Sequence, residues 1–285
     1  MDGGGLRRVF TVAMNTYRET VRERVLYNLV FFALLMTLSG LLLRQLSIRQ
    51  EVKIVKDVGL GAMEVFGTLI AVFIGVGLVS KEIERRSLYP LLAKPLGRGE
   101  FLLGKYLGLS FTLMVNLAIM TAGLYLTLAF TGRPLGLALL AAVWGIALQL
   151  LLVVAFALLF STLTSPLLAA TCTLALVVAG RFSDVVRNMR DLLPEAPGWL
   201  TTLIYYAVPN YRNFDFKAQV VYRDAVPLGD LAWASLYAAV YVALALGLAL
   251  QVFESVKSYS KHTHLRAMCA FGLSLIHISE PTRPY

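Results

Sequence analysis

The sequence is poor in charged residues. Only 15% of its 285 residues are Asp, Glu, Lys or Arg, whereas 58% are hydrophobic, and a soluble domain averages about 25% charged residues. Several apolar runs approach the roughly 20 residues that a helix needs to cross a bilayer. We therefore predict a polytopic membrane protein. The basic residues behind the net charge of +9 flank these runs, so they indicate cytoplasmic loops and a lipid membrane as partner rather than nucleic acid.

Cysteine and histidine are also scarce, with two and three of them. All three histidines and Cys269 lie in 256–285, where LSLIHISEPTR at 273–283 looks like a translated sequencing adapter. We therefore expect 256–285 to be a non-native tail and 1–255 to form a single transmembrane domain. Without the tail only Cys172 remains, which excludes an internal disulfide, a His/Cys metal site and a histidine-based catalytic site.

Hydropathy predicts an all-α protein with six transmembrane helices, which places both termini in the cytoplasm. The spans fall at about 25–43, 58–80, 107–130, 135–160, 166–182 and 231–253. The fifth run is short, so whether it crosses the bilayer or bends back stays open. The polar connector 44–57 and the long segment 181–230 are expected on the outer side.

An amphipathic helix is predicted before the first span. Val9–Glu23 has helical periodicity, with Phe10, Ala13, Tyr17 and Val21 on one stripe. One interpretation is the solvated start of the first membrane helix. The other, which we favour, is a helix lying on the cytoplasmic leaflet.

The segment Glu82–Gly108 is charged and interrupted by proline between two apolar runs. It cannot lie in hydrocarbon. Its five basic side chains and the flanking Lys81, six in all, place it on the cytoplasmic face. A short rigid helix with an apolar face and charged ends suits docking in a protein groove, although a plain solvated connector is the alternative. The residues assigned to docking are Glu82, Glu84, Leu88, Leu91, Leu92, Lys94, Pro95, Arg98, Glu100 and Lys105.

No nucleotide site is predicted. Gly99–Tyr106 nearly matches the phosphate loop G-x-x-x-x-G-K-[ST], but Tyr106 stands where Ser or Thr would bind magnesium, and no buried strand precedes it. We assign no catalytic, cofactor or metal residue. If ATP drives this protein, a different chain hydrolyses it. The spacing of Gly104 and Gly108 is instead a weak indication of close helix contact.

Three polar residues within apolar runs are candidates for a substrate path: Glu64, Asn116 and Gln149. A carboxylate inside the membrane is a candidate for ion or proton handling. Glu64 is only about six residues into its span, however, so we favour an interfacial position where it reaches water. The aromatic segment Tyr205–Phe216 is expected at the headgroup level, with substrate contact as the alternative.

The docking segment resembles the signature of type-2 ATP-binding-cassette exporter permeases. The matching residues are Glu82 and Glu84, Ser87-Leu88, Leu91-Leu92-Ala93-Lys94-Pro95, Arg98-Gly99-Glu100-Phe101 and Gly104-Lys105. Asn15–Asn28 and Val208–Phe214 are similar to other parts of the same family, and the likeness runs over roughly 8–255.

This resemblance implies an inner-membrane exporter of unidentified substrate. Two permease chains, identical or paralogous, would pair, and each would contact a separate ATPase subunit that holds ATP and Mg. The docking segment would be the coupling helix on that ATPase. Two rival functions stay open: an ion-coupled secondary transporter that uses Glu64, and a non-transporting membrane assembly factor.

Overall fold

A computed structural model describes residues 3–22, 51–84, 98–130, 136, 138–182, 208–222 and 226–252. Within these ranges the regular elements are helices, and no strand is found. The elements are α1 (Gly3–Arg22), α2 (Glu51–Glu84), α3 (Arg98–Phe130), α4 (Ala138–Leu163), α5 (Pro166–Arg181), a 3₁₀ turn (Tyr211–Phe214), α6 (Lys217–Tyr222) and α7 (Leu228–Val252).

Four of these helices are long and apolar enough to cross a membrane. Their candidate spans are Lys53–Gly77, Gly99–Ala129, Ala138–Leu163 and Leu228–Val252, which match the predicted second, third, fourth and sixth spans. α5 has 16 residues and is about 24 Å long, shorter than the roughly 30 Å hydrocarbon core. The predicted first span, 25–43, lies outside the described residues, so the count of six stays a prediction.

Two helices extend beyond the predicted spans. α2 begins at Glu51, inside the segment predicted as a polar connector, because Val55 is buried in the core while Lys53 and Asp57 face outward. α3 begins at Arg98 rather than at 107, with Glu100 in its first turn, where a carboxylate interacts favourably with the helix dipole. Hydropathy marks only the apolar part of such helices.

α4 lies at the centre of the bundle and α7 at its periphery. In its most apolar window 72% of the α4 residues are buried inside the protein, against 22% for α7. α4 packs against α2, α3 and α5, and its buried residues surround the whole helix, including Leu152, Val153 and Leu158. A helix that is apolar all round is expected to be buried in this way.

α1 and α3 run side by side in the same direction. Gly5 lies against Glu100, Val12 against Gly104 and Thr16 against Gly108, so the contacts advance in step along both helices. A Cβ on Gly108 would come within 2.6 Å of the Ala13 carbonyl oxygen, and this tight approach confirms the close contact predicted from the Gly104–Gly108 spacing.

Phe10, in the predicted apolar stripe of α1, does not pack against the helix bundle. Its side chain is 65% exposed, whereas Thr16 and Thr20 are buried. Threonine can occupy this interface because the Thr20 hydroxyl donates to the Thr16 carbonyl oxygen at 2.7 Å, which satisfies the hydroxyl within its own helix. The position of α1 on the cytoplasmic leaflet stays a prediction.

Candidate functional site

Glu64 is buried inside the bundle with only 4% of its surface exposed. Its Oε2 accepts a hydrogen bond from the Lys217 ammonium, and its Oε1 forms an ion pair with the Arg181 guanidinium. The expectation that this carboxylate reaches water at the interface is therefore wrong. Hydropathy placed Glu64 near the end of a span, but Arg181 and Lys217 cover its carboxylate.

Arg181 joins Glu64 to the central helix. It is the last residue of α5, and its Nη2 donates to Gln149 Oε1 on α4 at 3.4 Å. Gln149 is 3% exposed, and its Nε2 has no hydrogen-bond partner in the described part of the chain. Glu64, Gln149, Arg181 and Lys217 together form what we term the Glu64 cluster.

Lys217 reaches the cluster from outside the predicted spans. It is the first residue of α6, and its backbone N–H donates to Asp215 Oδ1 at 3.3 Å. Burial lowers the pKa of the Lys217 ammonium, an effect that the Asp215 and Asp57 carboxylates oppose. Lys217 is thus held by acidic groups from both α2 and its own segment.

Two glycines let the segment 208–216 approach the bundle. A Cβ at Gly145 of α4 would lie 2.3 Å from the Phe214 carbonyl oxygen, and one at Gly180 of α5 would lie 2.3 Å from the Pro209 carbonyl oxygen. Any larger residue would collide with backbone at these points. Glycine at both positions therefore fixes the depth at which this segment sits, and with it the position of Lys217.

The described part of the aromatic segment packs against the helix bundle. Tyr211 and Phe214 are each 2% exposed and belong to the main core, so these two rings pack inside the protein. The headgroup level of the segment stays a prediction. Burial raises the pKa of the Tyr211 phenol above its usual value of 10.0. Its hydroxyl has no hydrogen-bond partner among the described residues.

Asn116 is the third residue assigned to a substrate path. It is 3% exposed on α3, and its Oδ1 lacks a hydrogen-bond partner within the ranges that the structure describes. The structure unites Glu64 and Gln149 in one cluster, whereas Asn116 makes none of the cluster's contacts described above. Its role in a substrate path stays a prediction.

The docking segment is described only at its two ends. Leu88, Leu91, Leu92, Lys94 and Pro95 lie outside the described residues. Glu82 and Glu84 belong to the last turn of α2, and Arg98 begins α3. The segment therefore connects the C-terminal end of α2 to the N-terminal end of α3.

Two docking residues contact the protein itself. Glu100 lies 3.9 Å from Arg8 of α1, with both side chains partly exposed, a pair worth less than about 1 kcal/mol. Lys105 is only 2% exposed, and its Nζ lies 5.0 Å from the centre of the Phe101 ring. Because the Lys105 side chain is buried in this structure, it could affect a docked partner only indirectly, through the residues around it. The docking function of both residues stays a prediction.

The sequence of the chain matches a model of a known protein family. A family model described as ABC-2 family transporter protein matches residues 10–183. The chain belongs to this family. The match covers α1 to α5 and includes Glu64, Gln149 and Arg181, and it confirms the resemblance found in the sequence. No curated protein matched the chain.

ABC-2 membership and the apolar helices identify the protein as a membrane transporter permease. The site residues that sequence reasoning missed are Arg181 and Lys217, which were counted as charges of an external segment. One indication in the sequence was available for Arg181, because this residue directly follows an apolar run. No sequence feature indicated that Lys217 contacts Glu64.

Proposed function

We propose that the chain is the permease subunit of an ATP-driven exporter, with ATP and Mg bound by a separate ATPase subunit. The observation that carries the proposal is the family match over 10–183, which spans the whole docking segment. In this proposal the permease works in the inner membrane with both termini in the cytoplasm. It pairs with a second permease chain, and α1 lies at the cytoplasmic leaflet.

The helices attached to the docking segment suggest how force from an ATPase would be transmitted. α2 is continuous from Glu51 to Glu84, so the docking segment and Glu64 are carried by one helix, about 30 Å apart along its axis. α3 leaves the same segment and is held to α1 by the Gly104 and Gly108 contacts. A displacement of the docking segment would therefore move α1, α2 and α3 together and act on the Glu64 cluster.

The Glu64 cluster argues against the ion-coupled alternative. Both carboxylate oxygens of Glu64 are engaged by cations, Lys217 on one and Arg181 on the other. A transported ion or proton would have to displace one of these side chains. We therefore propose that Glu64 pairs helices rather than carries cargo, and that transport depends on the ATPase.

The test is co-purification with the ATPase subunit after replacement of the apolar docking face. Leu91→Asp with Leu92→Asp should insert into the membrane normally but lose the ATPase, because charged side chains cannot enter an apolar groove without a large desolvation cost. The matched control, Leu91→Ile with Leu92→Ile, keeps the apolar face and should retain the ATPase and its substrate-stimulated hydrolysis in proteoliposomes. Undiminished co-purification of the Asp variant would contradict the proposal.

A further inference from the structure

A cavity of about 360 Å³ lies between the 208–222 segment and the start of α7. It is distinct from the Glu64 cluster, and neither the docking segment nor the family match at 10–183 includes its walls. The side chains that line it combine carboxylates with aromatic rings. The central ones are Asp215, Phe216, Gln219, Asp230, Trp233 and Tyr237.

The polar groups of the cavity favour a cation. Two carboxylates, Asp215 and Asp230, line the cavity together with one guanidinium, Arg212. The Asp215 carboxylate also interacts with Arg181 and Lys217, so Asp230 is the carboxylate that remains for a bound cation. The Asp230 carboxylate has no ion-pair partner among the residues that the structure describes. The Gln219 Oε1 is buried and likewise without a hydrogen-bond partner in those ranges, so a donor that entered the cavity would satisfy it.

The aromatic rings favour an organic ammonium over a metal ion as the bound cation. Trp233 is 73% exposed and offers its ring to the cavity. The Tyr237 ring is held in place by Tyr241 and Phe214, at centroid distances of 4.6 and 5.9 Å. Ammonium groups bind over such rings, with Trp the strongest partner. A bare metal ion would instead require several oxygen ligands at short distance.

An apolar stripe continues from the cavity along α7. Leu236, Val240, Leu244 and Leu248 are each about half exposed, and helical spacing places them on the side of α7 that carries Trp233. α7 is the least buried of the candidate spans. The cavity therefore opens onto an apolar surface long enough to accompany an alkyl chain.

We propose that this cavity binds the ammonium head of a cationic amphiphile whose apolar chain lies along the α7 stripe. The outward orientation of this end of α7 rests on the proposed function, but binding itself requires no ATPase. Two sources share this chemistry: an aminophospholipid of the outer leaflet and a transported ammonium amphiphile. The carboxylates and rings fix the head, while the chain gains affinity from apolar contact.

The test is calorimetric titration of the full-length permease in uncharged detergent with hexyltrimethylammonium. Hexyl sulfate has the same chain with the opposite charge, and tetramethylammonium has the head without the chain. The hexylammonium should bind about tenfold or more tightly than either, as expected for an ammonium held over aromatic rings. Asp230→Asn and Trp233→Leu should each weaken it about fivefold or more.

The matched control is Glu19→Gln, which removes an exposed carboxylate of α1 outside the cavity and should change the affinity less than about twofold. If Trp233→Leu does not fold, Trp233→Phe keeps an aromatic ring and should retain most of the binding. Equal affinity for hexyl sulfate, or unchanged affinity in Asp230→Asn, would overturn the inference. A missing ATPase partner would leave these affinities untouched, so this test and that of the proposed function fail independently.

Added phosphatidylethanolamine distinguishes the two sources. Displacement of the probe by this lipid, but not by phosphatidylglycerol, supports the site and assigns it to a resident lipid. Retention of the probe in both lipids supports the site and assigns it to a transported amphiphile. Displacement by both lipids alike would show that the ammonium group is not recognised and would count against the inference.

Discussion

Replacing Glu64 with glutamine should destabilise the permease strongly. The substitution keeps the size of the side chain but removes the charge that faces both Arg181 and Lys217. Two cations would then remain beside a neutral amide within the bundle. Removal of one partner from a buried pair is costly mainly because the remaining charge stays buried without compensation.

The magnitude follows from how far the partners are buried. The Glu64 side chain is 5% exposed, Lys217 is 17% exposed and Arg181 is 36% exposed. Breaking a fully buried pair costs about 3–5 kcal/mol, and the partial exposure of the two cations lowers the expected cost to about 2–4 kcal/mol. At roughly 2–4 °C per kcal/mol, Tm should fall by about 5–15 °C.

A double-mutant cycle measures the interaction between Glu64 and Lys217 separately from the other effects of each substitution. Lys217→Met removes one of the two cations, so in the Glu64→Gln background it relieves part of the damage. The double variant should therefore lose at least about 1 kcal/mol less than the sum of the two single variants, within the range found for contacting residues. The assay is thermal unfolding in detergent at matched protein concentration, followed by size-exclusion chromatography.

The control is Glu19→Gln, which removes an exposed carboxylate from α1 and should leave Tm unchanged within about 1 °C. An unchanged Tm in Glu64→Gln, or strict additivity in the cycle, would show that the buried ion pairs do not stabilise the bundle. The argument against an ion-coupled transporter would then lose its structural basis.

Three further predictions concern the helix contacts and the external segment. Gly180→Val should lower Tm by several degrees, since its side chain meets the Pro209 carbonyl and overpacking costs about 1–3 kcal/mol, whereas Gly61→Ala, with open space around it, should not. Gly108→Leu should separate α1 from α3 and expose a protease site in α1, measured by limited proteolysis. Burial raises the pKa of Tyr211, so the unfolded state releases its proton first and stability falls above about pH 10. Tyr211→Phe should weaken that alkaline loss in thermal unfolding while costing little at pH 7, because the hydroxyl has no partner in the described ranges.

The apolar spans were predictable because hydropathy is a local property. A window of about 20 apolar residues identifies a membrane helix without knowledge of its neighbours, and four candidate spans agree with that expectation. The ends of α2 and α3 were not predictable in this way, since their polar turns are helical through contacts with the core and with α1. Of these contacts, the sequence indicated only the one between α3 and α1, through the Gly104–Gly108 spacing.

The Glu64 cluster was not predictable from the sequence. Glu64 and Lys217 are 153 residues apart, and Lys217 follows a segment whose aromatic composition indicated the membrane surface. The segment instead enters the bundle because Gly145 and Gly180 leave room for its backbone. Glycines are common in membrane helices for many reasons, so neither of them pointed to this particular contact.

The same carboxylate supports opposite functions depending on its partners. A lone Glu64 would be a candidate for ion handling, but with both oxygens paired to cations it joins α2 and α5 to the 208–222 segment. Because α2 also carries the start of the docking segment, this junction and the proposed docking site for an ATPase lie on one helix. A displacement of α2 would strain the Arg181 and Lys217 contacts together, and breaking them would release the 208–222 segment, which forms one wall of the cavity at the start of α7. The role of Glu64 therefore depends on the groups that surround it, and the sequence patterns did not predict those contacts.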